Sequence, residues 1–361
     1  MEIISYTPTE LKVLIESELY KKLEQIPISY HRAISHIQNP AVQDDDELLW
    51  AAYENEKLTG YVGVLPNYIV ENQVRNKTYW LSCFWVDEKY RKENVASLLF
   101  FSLIKRCGKQ LIVSNFLPNL EKMYLSIGIF KPTFYKTGSQ FFCKSCFHNI
   151  LPVRFPKIRF IKPLLKFGDW IINVLLFFRK MFFKPLNINS VIAVNSNFDD
   201  EFQAFLQLLN KNRNYIERFS AHFNWIIKYP WVLQGKQDKE SKRYFFSSKS
   251  EQFCYDSVKF YQNCELKAFL LLKIRDKKLT VSFIFSEDEM LDDVAAYILR
   301  KVRNEKLIML TVFDDRISNK IRNHRIQYIF ERLIKRAYIL PKTLNITPDI
   351  FQEGDGDNVF T

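Results

Sequence analysis

The sequence predicts an α/β (α+β) chain of two domains, each a mixed twisted sheet flanked by helices, the second a degenerate copy of the first. Three observations support this. Strand and then helix periodicities alternate between residues 48 and 128, the same order of elements returns after residue 199, and a basic, proline-containing stretch separates the two. The 361 residues, 47% apolar and 25% charged, suffice for two cores of ordinary size. Glycine is scarce, at 9 residues, and phenylalanine plentiful, at 32, which excludes a disordered or low-complexity chain.

From Glu2 to Asn39 a short strand leads into helical segments, with Thr9 read as an N-cap before LKVLIESELYKKL. LLWAAYENEKLTGYVGVLP then reads as two strands around the turn Glu54-Asn55-Glu56-Lys57, and TYWLSCFWV at 78–86 as a largely buried strand. After the polar loop DEKYRKEN comes a helix with Val95, Leu98, Leu99 and Leu103 at helical spacing. The strand LIVSN follows, and then a second helix with Leu117, Leu120, Tyr124 and Ile127 on one stripe, ended by Gly128. Two strands joined by a helix imply a parallel pair, and ligands of such units sit at the carboxyl ends of the strands.

The domain division expected is 1–150, a basic and apolar connector at 151–190, and 191–361, the last expected to wall the acceptor side of the site. The connector holds Pro152, Pro156, Pro163 and Pro185 among Arg154, Lys157, Arg159, Lys162, Lys166, Arg179, Lys180 and Lys184. The second half repeats the scheme: a helical region at 199–228, strands near 242–247, 252–256 and 267–274, then LTVSFIF, a helix at 287–304, the strand LIMLTVF and a terminal helical region.

A net charge of +12 favours an anionic partner, whether nucleotide, nucleic acid or membrane surface. The six cysteines form no repeated framework, and MEIISYTPTEL lacks the order of a signal peptide, so the cytoplasm is the expected compartment. The most apolar run, IINVLLFF at 171–178, is shorter than the about 20 residues a membrane span needs. Set among cations, it suits a peripheral helix on a membrane or a helix packed between domains. Cys143, Cys146 and His148 lack a second ligand pair at zinc spacing, so no metal is expected.

A pyrophosphate can be held by the free N–H groups of a helix N-terminus, provided the loop before it brings backbone close. YRKENVASLL, from Tyr90 to Leu99, stands between a buried strand and an amphipathic helix and is built for this. It resembles the pyrophosphate loop of the GNAT (acyl-coenzyme A dependent N-acetyltransferase) superfamily: Arg91 and Ala96 match, and Asn94 replaces the first Gly. Asn is among the few other residues that tolerate left-handed backbone angles. NFLPNLEKMYLSIGIF resembles the family's next strand-to-helix segment, where Asn115, Tyr124 and Gly128 match, with Ile129 at the usual Phe position and Phe130 one residue on.

The resemblance implies acetyl-coenzyme A as co-substrate, with Val86, Arg91, Lys92, Asn94, Val95, Ala96, Ser97 and Asn115 on the donor. The Val86 N–H would polarise the acyl oxygen and Tyr124 would protonate the departing thiolate; as a residue on an aromatic stripe, Tyr124 equally suits the core. Glu54, Glu71 and Asp87 are candidate bases by residue type. The acceptor implied is a small-molecule amine, with an amino sugar of cell-surface polysaccharide synthesis suggested by FNWIIKYPW at 223–231, which resembles an aromatic stretch in such GNAT proteins. Phe223, Trp225, Tyr229 and Trp231 are otherwise core residues.

In the second copy the helix opens Ser286-Glu287-Asp288-Glu289, a capping-box pattern that would occupy its N–H groups and repel a phosphate. Coenzyme A binding is therefore expected in the first half alone. The tail EGDGDN at 353–358 is read as a solvated terminus, with an acceptor-contacting loop as the alternative. Tandem copies with a basic surface also resemble the tRNA-dependent aminoacyltransferases of peptidoglycan bridge synthesis. tRNA thus stays open as the alternative partner, as does a non-catalytic acyl-coenzyme A binding module.

Overall fold

The computed structural model describes residues 1–181, 187–195 and 197–361; Lys184 and Pro185 of the connector lie outside them. Strand β1 (Glu2–Tyr6) leads into helix α1 (Pro8–Glu16), which is capped by Thr7 and not Thr9. Pro8 takes the first helical position, where its missing N–H costs nothing, and Glu10 closes a capping box with Thr7. Helices α2 (Glu18–Lys22) and α3 (Tyr30–Ile37) follow.

Strands β2 (Leu49–Glu54) and β3 (Lys57–Glu71) meet at the expected turn. Asn55 and Glu56 there take φ of 49° and 63°, the two left-handed residues that a two-residue hairpin favours. β3 outruns the sequence expectation and turns through Asn72 and Gln73 into β4 (Val74–Val86). α4 (Val95–Cys107), β5 (Leu111–Ser114) and α5 (Glu121–Ser126) come in the predicted order, and Gly128 leaves α5 at φ 79°.

Next are β6 (Phe134–Phe142), α6 (Phe147–Arg154), α7 (Lys162–Met181), β7 (Val191–Val194), α8 (Asp200–Asn210), β8 (Tyr215–Ile216) and α9 (Ser220–Lys228). The short strands β9 (Leu233–Gln234) and β10 (Lys249–Ser250) pair with each other. The chain continues with β11 (Phe253–Gln262), β12 (Glu265–Arg275), β13 (Lys278–Ser286), α10 (Leu291–Asn304), β14 (Met309–Val312), α11 (Asp315–Arg322) and β15 (Phe330–Ile339). The strand expected near 242–247 is replaced by a 3-10 turn at Glu240–Lys242, and the terminal region expected to be helical contains β15.

Two units interleave along the chain rather than following the contiguous spans 1–150, 151–190 and 191–361. One comprises Met1–Lys136, Asn197–Phe253 and Arg336–Thr361; the other comprises Thr137–Ser196 and Cys254–Lys335. In the first, the strand order β1-β2-β3-β4-β5 is antiparallel up to β4, β4 and β5 run parallel, and the end of β15 closes the row antiparallel on β5. In the second, β12 is antiparallel to β13, β13 is parallel to β14, and β6 closes the row antiparallel on β14. Both are mixed sheets with one helical crossover, α4 or α10, between the parallel strands, as the α/β prediction requires. The interleaving arises because each half of the chain gives the closing strand to the other half's sheet.

In the first unit β-strand alternation places core residues on both faces of the sheet. One face packs Leu49, Ala51, Tyr53 and Tyr61 under α1 and α3; the other packs Trp50, Ala52, Val62 and Leu81 under α4 and α5. In the second unit a large cluster lies between its strands and α10 and α11.

Candidate active site

The parallel ladder between β4 and β5 consists of Tyr79–Leu111 and Trp80–Ile112. Beyond it the strands part: β5 goes on beside β15, while β4 continues to Val86 beside β3. An irregularity in the β3–β4 register between Tyr61 and Gly63 accompanies Cys83, whose φ is 49°, so β4 bends where the opening begins. The Asp87 N–H donates to the Thr59 carbonyl at 2.9 Å. By strand alternation the Val86 N–H therefore points away from β3, into the opening.

α4 begins at this edge. Asn94 is its cap and lies in the left-handed region (φ 59°, ψ 14°), the conformation for which the family motif uses Gly. No side chain caps the helix and no acid stands in its first turn, so the amides of Val95, Ala96 and Ser97 face outward with the positive end of the helix dipole. Val95 anchors the turn in the core, where its side chain and that of Leu99 would each lie 3.1 Å from a Cβ at Gly60. A larger residue at Gly60 would push the start of α4 off the sheet. Arg91 and Lys92 are exposed on the same loop, and Arg91 holds Glu88 at 3.2 Å in a surface pair that an anion can displace at little cost.

Tyr124 is 1% exposed and packs edge-on against Phe100 and Phe116 in the core under α4. Burial pushes its pKa up, so the phenol stays protonated. Asn115, at φ 53°, is exposed, and its amide donates to the Asn358 side chain.

The candidate bases separate. Glu71 pairs with Val74 at the far hairpin, roughly 37 Å along β3 from the Gly60–Val86 pair, and accepts the Asn345 N–H at 3.1 Å. Asp87 accepts the Lys89 N–H at 2.9 Å as a local cap. Glu54 lies close to Tyr90 at the near hairpin.

The tail expected to be solvated is buried. Glu353, Asp355, Asn358, Val359 and Phe360 are all inside the first unit. Arg218 pairs with Asp355, Arg336 with Glu353 at 2.7 Å, and Lys136 donates to the Phe351 carbonyl. Gly356 crosses the face of Trp80 so closely that a Cβ would meet the ring at 2.7 Å. Asp357 accepts from Ser82 Oγ at 3.0 Å, so the tail bridges β4 and the end of β5.

In FNWIIKYPW, Phe223, Trp225, Ile226 and Trp231 are core residues, Tyr229 is half-buried, and Asn224, Ile227 and Lys228 are exposed. Phe223 is fully buried, and the indoles of Trp225 and Trp231 donate to Ser35, at 2.7 Å to its carbonyl and 2.9 Å to its hydroxyl. Phe360 stacks on Trp231. Nothing in the sequence singles out Arg32 or Ser82; Asp357 lies in EGDGDN, for which an acceptor-contacting loop is the alternative reading.

In the second unit Ser286 forms no capping box; its hydroxyl donates to the Glu287 carbonyl, and the cap of α10 is Met290. The helix start still carries acids, Asp292 and Asp293, and Asp293 accepts the Asn189 and Ser190 N–H groups. His148 bonds to Asp169 at 2.6 Å, and no group of three or more His, Cys, Asp or Glu side chains forms a metal cluster among the described residues.

A parallel pair that parts beside an open helix N-terminus is the arrangement that the sequence resemblance implies. Residues 15–123, all within the first unit, match the model of the acetyltransferase (GNAT) family. Among solved structures it is similar to a conserved protein of unknown function from Enterococcus faecalis, described as a "Probable N-Acyltransferase" (TM-score 0.54, 10% identity, covering 94% of this chain and 71% of that one). It is also similar to a GCN5-related N-acetyltransferase from Anabaena variabilis (TM-score 0.50, 8% identity, 93% and 72%). At these identities the likeness is one of fold. No curated protein sequence matches the chain significantly.

Proposed function

We propose that the protein is an N-acyltransferase that moves an acyl group, acetyl in the simplest case, from acyl-coenzyme A to an amine. The observation that carries this is the opening between β4 and β5 beside a helix whose N-terminus is uncapped and set by a left-handed Asn94. The pyrophosphate would lie on the amides of Val95, Ala96 and Ser97, with Arg91 and Lys92 beside it. The Val86 N–H would take the acyl oxygen as charge develops there. Tyr124, kept protonated by burial, would give its proton to the leaving thiolate. The acids at the start of α10 make the second unit a poor host for the same ligand.

The acceptor is a small-molecule amine, and an amino sugar of polysaccharide synthesis fits the family resemblance. Calorimetric titration of the whole protein with acetyl-coenzyme A tests the donor half. A saturable signal is expected; no heat at millimolar ligand, with a salt-sensitive aminoacyl-tRNA complex in its place, would favour the tRNA-dependent alternative.

A peripheral membrane contact belongs to the same proposal. No helix among the described residues is long and apolar enough to cross a membrane. In α7, Leu164, Phe167, Trp170, Ile171 and Leu175 are nevertheless exposed, and Val153 and Phe160 just before it are 78% and 81% exposed. Between 147 and 181 the one acid is Asp169, which is buried. Burial alone would raise its pKa, but hydrogen bonds from His148, Ser145 and the Phe147 N–H outweigh this and hold it below the usual carboxylate range. An apolar stripe rimmed by Lys157, Arg159, Lys162 and Lys166 fits an anionic bilayer surface. Sedimentation with phosphatidylserine vesicles should carry the protein down, and Phe167→Glu with Trp170→Glu should leave it in the supernatant; equal sedimentation of both would end this part of the proposal.

A further inference from the structure

Of the three acids in the tail between 353 and 357, two face an arginine directly, Glu353 with Arg336 and Asp355 with Arg218. Asp357 has no ion pair among the described residues. Its Oδ2 accepts from Ser82 Oγ at 3.0 Å, its Oδ1 has no hydrogen-bond partner there, and its side chain caps no helix. It is half-buried and so within reach of a ligand.

Ser82 Oγ in turn accepts from Arg32 Nη2 at 2.7 Å. Arg32 is 3% exposed, its guanidinium lies 3.6 Å over the Trp231 ring, and its Nε reaches His36 Nε2 at 3.4 Å. A cation this deep ordinarily meets a carboxylate at first hand. Here the Asp357 carboxylate lies one hydroxyl away, an arrangement that fixes the carboxylate while leaving one of its oxygens free.

The position of Asp357 follows from strand alternation. Trp80 and Ser82 point to the same face of β4, opposite the face on which Leu81 packs under α4. Ser82 stands two residues past the last β4–β5 pair, and Asn358 bonds to Asn115 just beyond the end of β5. Asp357 therefore stands at the opening, on the face away from α4. Three buried polar atoms of this region have no partner among the described residues: Trp80 Nε1, Ser114 Oγ and His36 Nδ1, in side chains 1%, 9% and 1% exposed. Polar atoms at such depth are ordinarily satisfied, which marks the region as one that takes a polar ligand.

We propose that Asp357 is the acceptor-side base of the acyl transfer: its free carboxylate oxygen binds the ammonium group of a primary amine and takes one of its protons. This rests on the donor site of the β4–α4 edge. The proton passes from nitrogen to Asp357 and on to water. The nitrogen lone pair then forms the C–N bond at the thioester carbon, and the C–S electron pair leaves with sulfur. Nitrogen loses its second proton as the tetrahedral species collapses, and sulfur takes up one. Each amide formed thus releases one proton and one free thiol. Arg32 and Ser82 are positioning residues that hold the carboxylate across the opening.

Two stable thioethers read this directly on the full chain. S-(2-aminoethyl)-coenzyme A presents an ammonium near the point of attack, and S-propyl-coenzyme A presents a methyl in the same place. Calorimetry should show the wild type binding the aminoethyl thioether about ten-fold or more tightly than the propyl one. Asp357→Asn should abolish that preference and leave the propyl affinity within about two-fold of wild type. Asp357→Ser is measured in parallel, so that the comparison survives if one variant does not fold. No preference in the wild type, or a preference retained in the variants, overturns the assignment of Asp357. Failure of both thioethers to bind the wild type overturns the donor site itself, and the role of Asp357 with it.

Discussion

Asp355→Asn should release the tail. The Asp355 and Arg218 side chains are 2% and 8% exposed. Oδ1 accepts from Arg218 Nε at 3.1 Å and also from Nη2, and Oδ2 accepts the Gln352 N–H at 2.6 Å. The amide keeps the volume but removes the charge, so the guanidinium loses the carboxylate of Asp355 that it is buried against. Breaking a buried pair from one side costs about 3–5 kcal/mol. At about 1.4 kcal/mol per decade, a loss of about 4 kcal/mol is roughly a thousand-fold in the docking equilibrium of the tail. Phe351, Val359 and Phe360, all buried now, would be exposed in the undocked state. Hydrogen exchange followed by mass spectrometry should show amides between 351 and 360 exchanging roughly a thousand-fold faster, while those of α4 change far less. The double variant Arg218→Met with Asp355→Leu, which removes both charges, should return exchange to within about ten-fold of wild type. Tail exchange in Asp355→Asn within ten-fold of wild type would refute the view that this pair holds the tail.

Tyr124→Phe should keep acetyl-coenzyme A affinity and melting temperature but lower turnover by about ten-fold or more; unchanged turnover in a steady-state assay would leave Tyr124 a core residue. His222 is pushed down to about 4 by burial and then by Arg218 and Arg75, so the native protein keeps it neutral where the unfolded chain protonates it. Its contribution is therefore complete above about pH 6.5 and is lost as pH falls toward 4, up to about 3 kcal/mol. Denaturant titrations should show His222→Gln losing less stability over that window than wild type. Gly356→Ala places a Cβ at 2.7 Å from Trp80 at φ 66°, whereas Gly128→Ala, at φ 79°, meets nothing. The first should cost about 2–5 kcal/mol from strain and overpacking together and the second about 1–2 kcal/mol, read by denaturant titration.

Local chemistry accounts for what could be read along the chain. The turn at Asn55-Glu56, the order β4, α4, β5, α5, the left-handed Asn94 and the placement of Gly128 all follow from side-chain periodicity and backbone tolerance within a few residues. The donor edge is a local feature too, since strand, loop and helix N-terminus are consecutive in sequence. Thr7 displaced Thr9 as a cap for an equally local reason, the Pro8 and Glu10 beside it.

The sequence by itself therefore determined the mixed α/β class and the stretch that resembles a coenzyme A loop. The tertiary structure alone decided the units, because β6 and β15 each close the sheet of the other half, and no periodicity records which sheet a strand will join. It also decided the acceptor side. Arg32, Ser82, Trp231 and Asp357 are separated by up to hundreds of residues, and each is ordinary in its own segment. A run of glycines and acids looks solvated until Arg218, Arg336 and Ser82 are brought to it. Burying a carboxylate is unfavourable without a partner, and partners at long range are supplied by the fold and not by the neighbouring sequence.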